Sequence, residues 1–575
     1  MVMHEARAAK PIAPRRKGLG ETGIGRPDFG VARPAGRARR HSHQRVVVMH
    51  FLFLYGPPGV GKSTVGRHAA QALDLPFVDL DARIARAAGR SIADIFASEG
   101  EAAFRQREAA ALRDLIRHPP GPRGAVVALG GGALLDPANR RLAHQAGIVA
   151  LLTARVETLR DRLAAQPGQR PLLQDATQLT ALLQARAAHY ASFARQVPTD
   201  GQSPDALVWQ VQVAWGAFRL RGMGPEYDVR VRPGWARQWD AALRPWLTPS
   251  PTAVGVVTDR HVHQYHAAAL LRGLDRLPID LSVHVLRPGE ASKTLGPLAD
   301  LWETWAAAGL DRHSLILALG GGVVGDLAGF AAATYMRGVP WLNLPTSLLA
   351  MVDAAVGGKT GIDLPAGKNL VGAFHPPRAV LADPELLRTL PTAHWRYGLA
   401  EVLKHALLDG DTALLTLLEQ GLDAVRRAAD EVVRRAVAIK VAVVQRDPYE
   451  RAGLRAQLNA GHTVAHAIEA ALDYTYPHGA AVAIGLVVEA ALAAALGLAP
   501  REWPYQVAAW AHGLGLPTRI PAEVGWAAFY RALQHDKKRR GRQVLFALPV
   551  AVGQVQPGVT VPEAALHDAW EAWHD

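Results

Sequence analysis

The nine residues Gly56-Pro-Pro-Gly59-Val-Gly61-Lys62-Ser63-Thr64 follow the pattern G-x-x-x-x-G-K-[ST], in which glycines let backbone N–H groups wrap a nucleotide's phosphates. Lys62 then reaches the β and γ oxygens and Ser63 is placed to ligate Mg²⁺, so the pattern speaks of a nucleoside triphosphate and leaves the acceptor open. Phe77-Val-Asp79-Leu-Asp81 sets two carboxylates on one face, one spaced for a metal-bound water and one for a substrate hydroxyl that Asp81 could orient or deprotonate. Far along the chain, His462 and His466 stand one helical turn apart, His478 follows in Tyr476-Pro-His478-Gly479, and Glu401 and Lys404 share Ala400-Glu-Val-Leu-Lys404. Two imidazoles and a carboxylate make a catalytic zinc site with a position left open for substrate.

Alone, each short pattern has a plainer reading: a D-x-D is commonly a pair of turn acids, and His-x-x-x-His a surface or core pair. The elements that must hold them give them weight. The apolar run Val46–Tyr55 leads directly into the glycine loop and reads as a buried parallel strand. It is too short for the roughly 20 residues a bilayer needs, and cleavage there as a signal peptide would destroy the loop. Strand signals at Ala125–Leu129 and Ile148–Leu152 alternate with helical patterns, the βαβ rhythm of a parallel sheet. After the junction Arg221-Gly-Met-Gly-Pro225, a second α/β stretch begins at Tyr227, with strands at Ala253–Thr258, Leu315–Leu319 and Trp341–Leu344. Beyond residue 392 the strand signal nearly vanishes and Ala/Leu/Val-rich helical periodicity takes over.

Composition bounds the reading. A chain of 575 residues is too long for one core, and 49% hydrophobic with 20% charged residues describes a folded protein. With no cysteine, any zinc must sit on His, Asp or Glu, and a cytoplasmic setting is the simplest. Of the net charge of +13, a share of +8 falls in residues 1–45, which lack apolar periodicity and read as a disordered basic tail; Met49 is an alternative start. The remainder is only mildly basic, which argues against nucleic acid as a partner, and no membrane is called for.

The run from Asp79 to Glu108, with Gly100-Glu101 and Phe104-Arg105, followed by Gly130-Gly131-Gly132 after a strand, resembles shikimate kinase. The resemblance implies that Gly56, Gly59, Gly61, Lys62, Ser63 and Thr64 bind ATP with Mg²⁺ on Ser63. It further implies that Asp81, Arg105, Gly130, Gly131, Gly132 and Arg186 hold shikimate. Gln169-Arg170-Pro171-Leu172-Leu173 looks like the family's lid, whose Arg170 would meet the phosphoryl group in transfer. Gluconate or nucleoside-monophosphate kinases are the rival reading.

Residues 227–575 resemble 3-dehydroquinate synthase. The metal segment is Leu458-Asn459-Ala-Gly461-His462-Thr463-Val-Ala-His466-Ala-Ile-Glu469. The nucleotide half carries Leu319-Gly-Gly321-Gly322-Val323-Val-Gly325-Asp326, Tyr335-Met-Arg337, Pro345-Thr346-Ser347, Met351-Val-Asp353, Gly357-Gly-Lys359 and Gly367-Lys368-Asn369, in family order. A glycine turn after a strand suits a dinucleotide pyrophosphate. The resemblance implies zinc (or another divalent metal such as Co²⁺) on Glu401, His462 and His478. NAD would lie along Asp259, Glu290, Lys293, Gly321, Gly322, Val323, Asp326, Thr346, Ser347, Asp353, Lys359, Lys368 and Asn369. Substrate would meet Arg337, Lys359, Asn369, Arg455 and Asn459, with Lys404 and His466 handling substrate or protons and Lys537 or Lys538 adding charge. Ala460 and Ala480 depart from the family's usual residues without removing a ligand.

The expected architecture is therefore α/β. A P-loop kinase domain with a parallel sheet (46–220) precedes a Rossmann-like NAD domain (227–392) and an all-helical metal-binding domain (393–575). The expected substrates are shikimate, ATP and the seven-carbon 3-deoxy-arabino-heptulosonate 7-phosphate, and the expected assembly is a homodimer through the synthase half. Deoxy-inosose or amino-dehydroquinate cyclases and iron-type polyol dehydrogenases are the competing readings of the second half, and a catalytically dead scaffold or regulatory module is a competing reading of either half.

Overall fold

The computed structural model describes residues 50–165, 176–534 and 544–575. The tail 1–45, Met49 and the start of the first apolar run, the lid segment with Arg170, and Lys537 and Lys538 lie outside the described residues.

The first sheet contains β1 (Phe51–Tyr55), β2 (Phe77–Asp79), β3 (Ala125–Ala128), β4 (Gly147–Thr153) and β5 (Gln196–Pro198), all parallel, in the order β2-β3-β1-β4-β5. Its central strand β1 reads Phe-Leu-Phe-Leu-Tyr and is buried throughout, because helices cover both faces of a parallel sheet. The glycine loop leaves β1 and enters α1 (Lys62–Leu73) at the carboxyl edge of the sheet, where βα crossovers open a crevice. At Gly56, with φ 139°, a Cβ would stand 2.3 Å from the Leu152 carbonyl oxygen, so only glycine lets the loop turn there. Next come α2 (Leu80–Ala88) and α3 (Ile92–Arg117), the latter kinked at Gly100. The unit closes with α4 (Ala176–Ala191) and α5 (Pro204–Trp215).

The second sheet has the order β6-β7-β14-β11-β10-β8-β9. Its strands are β6 (Ala217–Leu220), β7 (Tyr227–Val231), β8 (Ala253–Asp259), β9 (Asp280–Leu286), β10 (Leu315–Gly320), β11 (Trp341–Pro345) and β14 (Ala379–Ala382). All neighbours are parallel except β6, which pairs antiparallel with β7 across the 221–225 turn. The sequence reading left 217–220 with the kinase; the strand instead forms a hairpin that starts the second sheet. Helix α6 (Gly322–Thr334) follows β10, and a separate hairpin, β12 (Lys359–Leu364) with β13 (Gly367–Phe374), projects beside it.

The C-terminal part is built on α7 (Thr392–Asp409), α8 (Ala429–Arg446), α9 (His462–Ala471) and α10 (His478–Ala495). It is not all-helical: β15 (Leu545–Ala551) and β16 (Gln554–Thr560) form an antiparallel hairpin. The Ala and Pro in β15 hid its alternation, while Gly553, with φ 80°, makes the turn. One apolar cluster runs from β7 and β10 through α7 to α10, so the nucleotide sheet and the helices share a core. Helix α10 is long and apolar enough to cross a membrane, yet 78% of that stretch is buried in this core.

Candidate active sites

In the first site the Lys62 ammonium donates to the Gly56 and Pro57 carbonyls at 2.9 and 3.0 Å. Ser63 Oγ donates to Asp79 Oδ2 at 2.6 Å, and Asp79 Oδ1 caps α2 by accepting from the Ala82 amide. Asp81 lies in the first turn of α2, facing the glycine turn that follows β3. A Cβ on Gly130 would stand 2.6 Å from Glu108 Oε1 and 3.0 Å from Asp81 Oδ1; one on Gly132 would stand 2.5 Å from Arg105 Nη2. Arg105 donates to Glu108 at 2.7 Å and Glu101 at 3.1 Å. Arg186 Nη1 donates to the Gly131 carbonyl at 2.8 Å, an oxygen that the Tyr55 and Tyr190 hydroxyls also approach. The glycine turn thus passes between two guanidiniums and a carboxylate pair, a cradle for a small acid bearing hydroxyls. Burial pushes the Glu108 carboxyl up; Arg105 beside it offsets only part.

In the second site Glu401 comes from α7, His462 opens α9 and His478 opens α10, and one ligand atom from each lies within 4.8 Å of the others. His462 Nε2 and His478 Nε2 are 3.4 and 3.8 Å from Glu401 Oε1. The far nitrogens are tied down: His462 Nδ1 donates to the Ala460 carbonyl at 3.2 Å and His478 Nδ1 to Glu469 Oε2 at 3.1 Å. Glu401 is fully buried and ion-paired with Lys404, and among the described residues neither of its oxygens has a hydrogen-bond partner. A buried carboxylate facing two imidazole nitrogens whose tautomers are fixed from behind fits a divalent metal. The His466 ring lies beside this set, 5.7 Å from that of His462.

Asp353 organises the cations around it. Lys440 Nζ is 2.6 Å from Asp353 Oδ1, Lys404 Nζ 4.0 Å and His405 Nε2 3.7 Å. Burial alone would raise the Asp353 carboxyl, but the ammoniums of Lys440 and Lys404 outweigh it and hold it well below the usual carboxylate range. Arg455, 2% exposed, donates to the Pro448 carbonyl at 2.8 Å and packs against Gly357.

The candidate dinucleotide crevice opens at the end of β10. Gly321, Gly322, Asp326 and Lys359 line one small cavity, and Val323 sits in the first turn of α6. Lys293 pairs with Asp326 at 2.6 Å and donates to Asn369, while Glu290 stands 3.9 Å from it. The Thr346 amide donates to the Gly320 carbonyl at 2.9 Å, Ser347 Oγ accepts from the Ala350 amide, and Asp259 caps the turn after β8. Lys359 pairs with Glu450 at 2.7 Å, and Lys368 reaches Glu469 at 3.0 Å, so the β12–β13 hairpin links the crevice to the metal helices.

Not every expected residue joins a cluster. Arg337 is exposed on a turn with φ 66°, and among the described residues no hydrogen bond or ion pair ties it to the site. Asn459 ends a 3₁₀ turn, half-buried. The structure adds Glu108, Lys440 and Glu469, which sequence reasoning gave no role. Glu469 stands seven residues after His462 on the same helical face, and Lys440 is a lone cation among Val437, Val441 and Val444; both signals were readable.

Comparison with known proteins agrees with this division. Residues 58–214 match the shikimate kinase family model, 283–397 the N-terminal 3-dehydroquinate synthase model and 398–539 the C-terminal one. The 3-dehydroquinate synthase of Synechocystis sp. is 40% identical over 355 residues, covering 60% of this chain and 96% of that protein. The Xanthomonas campestris enzyme is 44% identical over 323 residues, covering 54% and 87%. A solved 2-epi-5-epi-valiolone synthase from Streptomyces hygroscopicus with NAD⁺ and Zn²⁺ bound superposes with a TM-score of 0.53 at 28% identity, covering 60% of this chain and 96% of that one. The chain belongs to the 3-dehydroquinate synthase family and carries a shikimate kinase ahead of it, so that two enzymes of the shikimate pathway share one polypeptide.

Proposed function

We propose the following division of labour. In the kinase, Lys62 meets the β and γ oxygens of ATP, and Ser63 with Asp79 behind it positions Mg²⁺. Asp81 orients the 3-hydroxyl of shikimate, while Arg105, Arg186 and the Gly130–Gly132 turn hold its carboxylate and ring. Arg170 is assigned to the lid by sequence alone.

In the synthase, Glu401, His462 and His478 would hold the divalent metal, Zn²⁺ or Co²⁺, and the Gly321–Gly322 crevice would hold NAD⁺. When bound, the metal polarises the hydroxyl to be oxidised and the dinucleotide takes and returns its hydride. Lys404, Lys440 and Arg455 present cationic ends to the substrate's phosphate and carboxylate in a buried site. His466 stands beside the metal set, where it can hold a proton. Phosphate leaves 3-deoxy-arabino-heptulosonate 7-phosphate and the ring closes to 3-dehydroquinate with no net oxidation. The convergence of Glu401, His462 and His478 from three helices within 4.8 Å carries this reading. A cytoplasmic homodimer is part of the proposal; the absence of cysteine agrees with the compartment, and sedimentation tests the assembly.

The test is phosphate release from the heptulosonate phosphate by purified protein, with and without chelator and NAD⁺, beside ATP consumption driven by shikimate. Both activities, with only the first lost to a zinc-selective chelator in excess Mg²⁺ and restored by Zn²⁺ or Co²⁺, support the assignment. Shikimate-driven turnover without phosphate release would give the second half to a related cyclase with another substrate.

A further inference from the structure

The seam between the two enzymes is built from buried charge. Asp228 on β7 of the synthase is fully buried and accepts from Arg219 and Arg230 at 2.9 Å. It also lies 3.4 Å from Arg123, a kinase residue that simultaneously binds Asp74 at 2.6 Å. At a second patch, kinase residue Arg195 donates to Asp430 Oδ2 on α8 at 2.6 Å. Asp430 also accepts from Arg434 Nε at 3.2 Å, and Arg434 Nη1 donates to the Val213 carbonyl, in the last turn of the kinase helix α5, at 2.7 Å. The first turns of α8 are thus gripped twice by the kinase. The side chains of Arg195 and Arg434 are 15% and 8% exposed, so these ion pairs are largely shielded from water and sensitive to loss of a partner.

The same helix enters the synthase site. Ten residues beyond Asp430, about 15 Å along the axis, Lys440 binds Asp353 beside Lys404 and Glu401. Between the two points α8 is packed on Val432, Val433, Ala436, Val437 and Ile439, each no more than 3% exposed. It therefore has little freedom to bend. Its N-cap, Ala428, offers no side chain to the first turn, so the contacts of Asp430 and Arg434 with the kinase join the packing of Val432 and Val433 and the Arg435–Asp411 ion pair in holding that end.

We propose that the kinase is a positioning element of the synthase, fixing α8 through Arg195 and Val213 and so setting where Lys440 presents its charge. This rests on the reading of Lys440 as a substrate contact. A chain in which the halves were merely tethered would not tie the first turns of one enzyme's active-site helix to a helix of the other enzyme and to the residue just before its strand β5.

The test uses full-length Arg195→Ala, Arg195→Lys and Arg195→Glu, the last placing like charge against Asp430. Expected for Arg195→Ala is a rise of about 5–20-fold in the synthase KM for the heptulosonate phosphate, the scale of a modest coupling between sites. Arg195→Lys should recover part of the loss, Arg195→Glu should exceed Arg195→Ala, and shikimate kinase constants should stay within about twofold. A general loss of folded protein lowers apparent kcat without moving KM, so it would not imitate this pattern. Full-length Lys440→Met separates the two readings: an unchanged synthase KM there removes the role of Lys440. If Lys440→Met raises KM while Arg195→Ala and Arg195→Glu both leave it unchanged, the coupling is overturned. Should Arg195→Glu not fold, the comparison of Arg195→Ala with Arg195→Lys decides.

Discussion

Glu469 and His478 share a hydrogen bond of 3.1 Å from His478 Nδ1 to Glu469 Oε2, while Glu469 Oε1 accepts from Lys368 at 3.0 Å. One buried carboxylate therefore fixes the orientation of a candidate metal ligand and anchors the β12–β13 hairpin beside the candidate nucleotide crevice. Burial would raise the Glu469 carboxyl, but His478 and Lys368 hold it down at about 2, so it stays an acceptor.

Glu469→Gln keeps the shape and weakens the charge behind the imidazole. Partners of this kind are worth about 10–100-fold in metal affinity. Competition with a chromogenic chelator should show metal binding weakened on that scale, with shikimate-driven ATP turnover unaltered. Wild-type affinity in the variant would reduce Glu469 to a packing group.

In the kinase, Asp81 and Glu108 both border Gly130 but face different tasks. Asp81→Asn should cut kcat by about 10²–10⁴ if it takes part in moving the hydroxyl proton, leaving nucleotide affinity intact. Glu108→Gln loosens the 2.7 Å clamp on Arg105, so its larger effect should fall on the KM for shikimate. Steady-state kinetics with both substrates varied distinguishes them, and the same profile from both variants would mean that the two carboxylates act as one unit.

Much of this arrangement was legible because its chemistry is local. The glycine loop, the Asp79/Asp81 pair and the His462/His466 spacing sit within single turns or strand ends, where residue type and position fix geometry. Partners brought together only by folding were not legible in the same way. Asp353 lies beside Glu401 of the candidate metal site, and Lys440 reaches it from a helix 87 residues later. Strand β6 lies on the kinase side of a Gly- and Pro-rich turn that looks like a linker, and only its pairing with Tyr227–Val231 assigns it to the synthase sheet. The Arg195–Asp430 pair spans 235 residues, and nothing in either local sequence announces it.

The glycine turn of the kinase gives a steric prediction. A methyl on Gly130 would meet Glu108 Oε1 at 2.6 Å and Asp81 Oδ1 at 3.0 Å, both at the ends of side chains that can yield. Gly130→Ala should therefore fold but push the two carboxylates apart, raising the shikimate KM by about tenfold, which is about 1.4 kcal/mol. Unchanged binding in a calorimetric titration would mean that the turn does not form the floor of the acceptor site.

A final prediction concerns pH. His50, just before β1, is 8% exposed, among the described residues its Nε2 has no hydrogen-bond partner, and its ring meets the edge of Trp235 across the seam. Burial, reinforced by Arg232 and Arg230, lowers its pKa to about 3. An unfolded histidine takes a proton near its ordinary value of 6.5, whereas the folded one resists until about 3. The unfolded state thus binds more protons across that window, so this contribution is fully present above 6.5 and is lost as pH falls towards 3. The slope is about 1.4 kcal/mol per pH unit for one group. His50→Phe removes the titration and keeps the ring. Its stability should fall less steeply than wild type between about pH 6.5 and pH 4.5, the gap reaching about 2–3 kcal/mol at the lower end. Melting of both proteins across that range measures it; parallel profiles would show that the ring at position 50 gains a proton in the folded chain as easily as in the unfolded one.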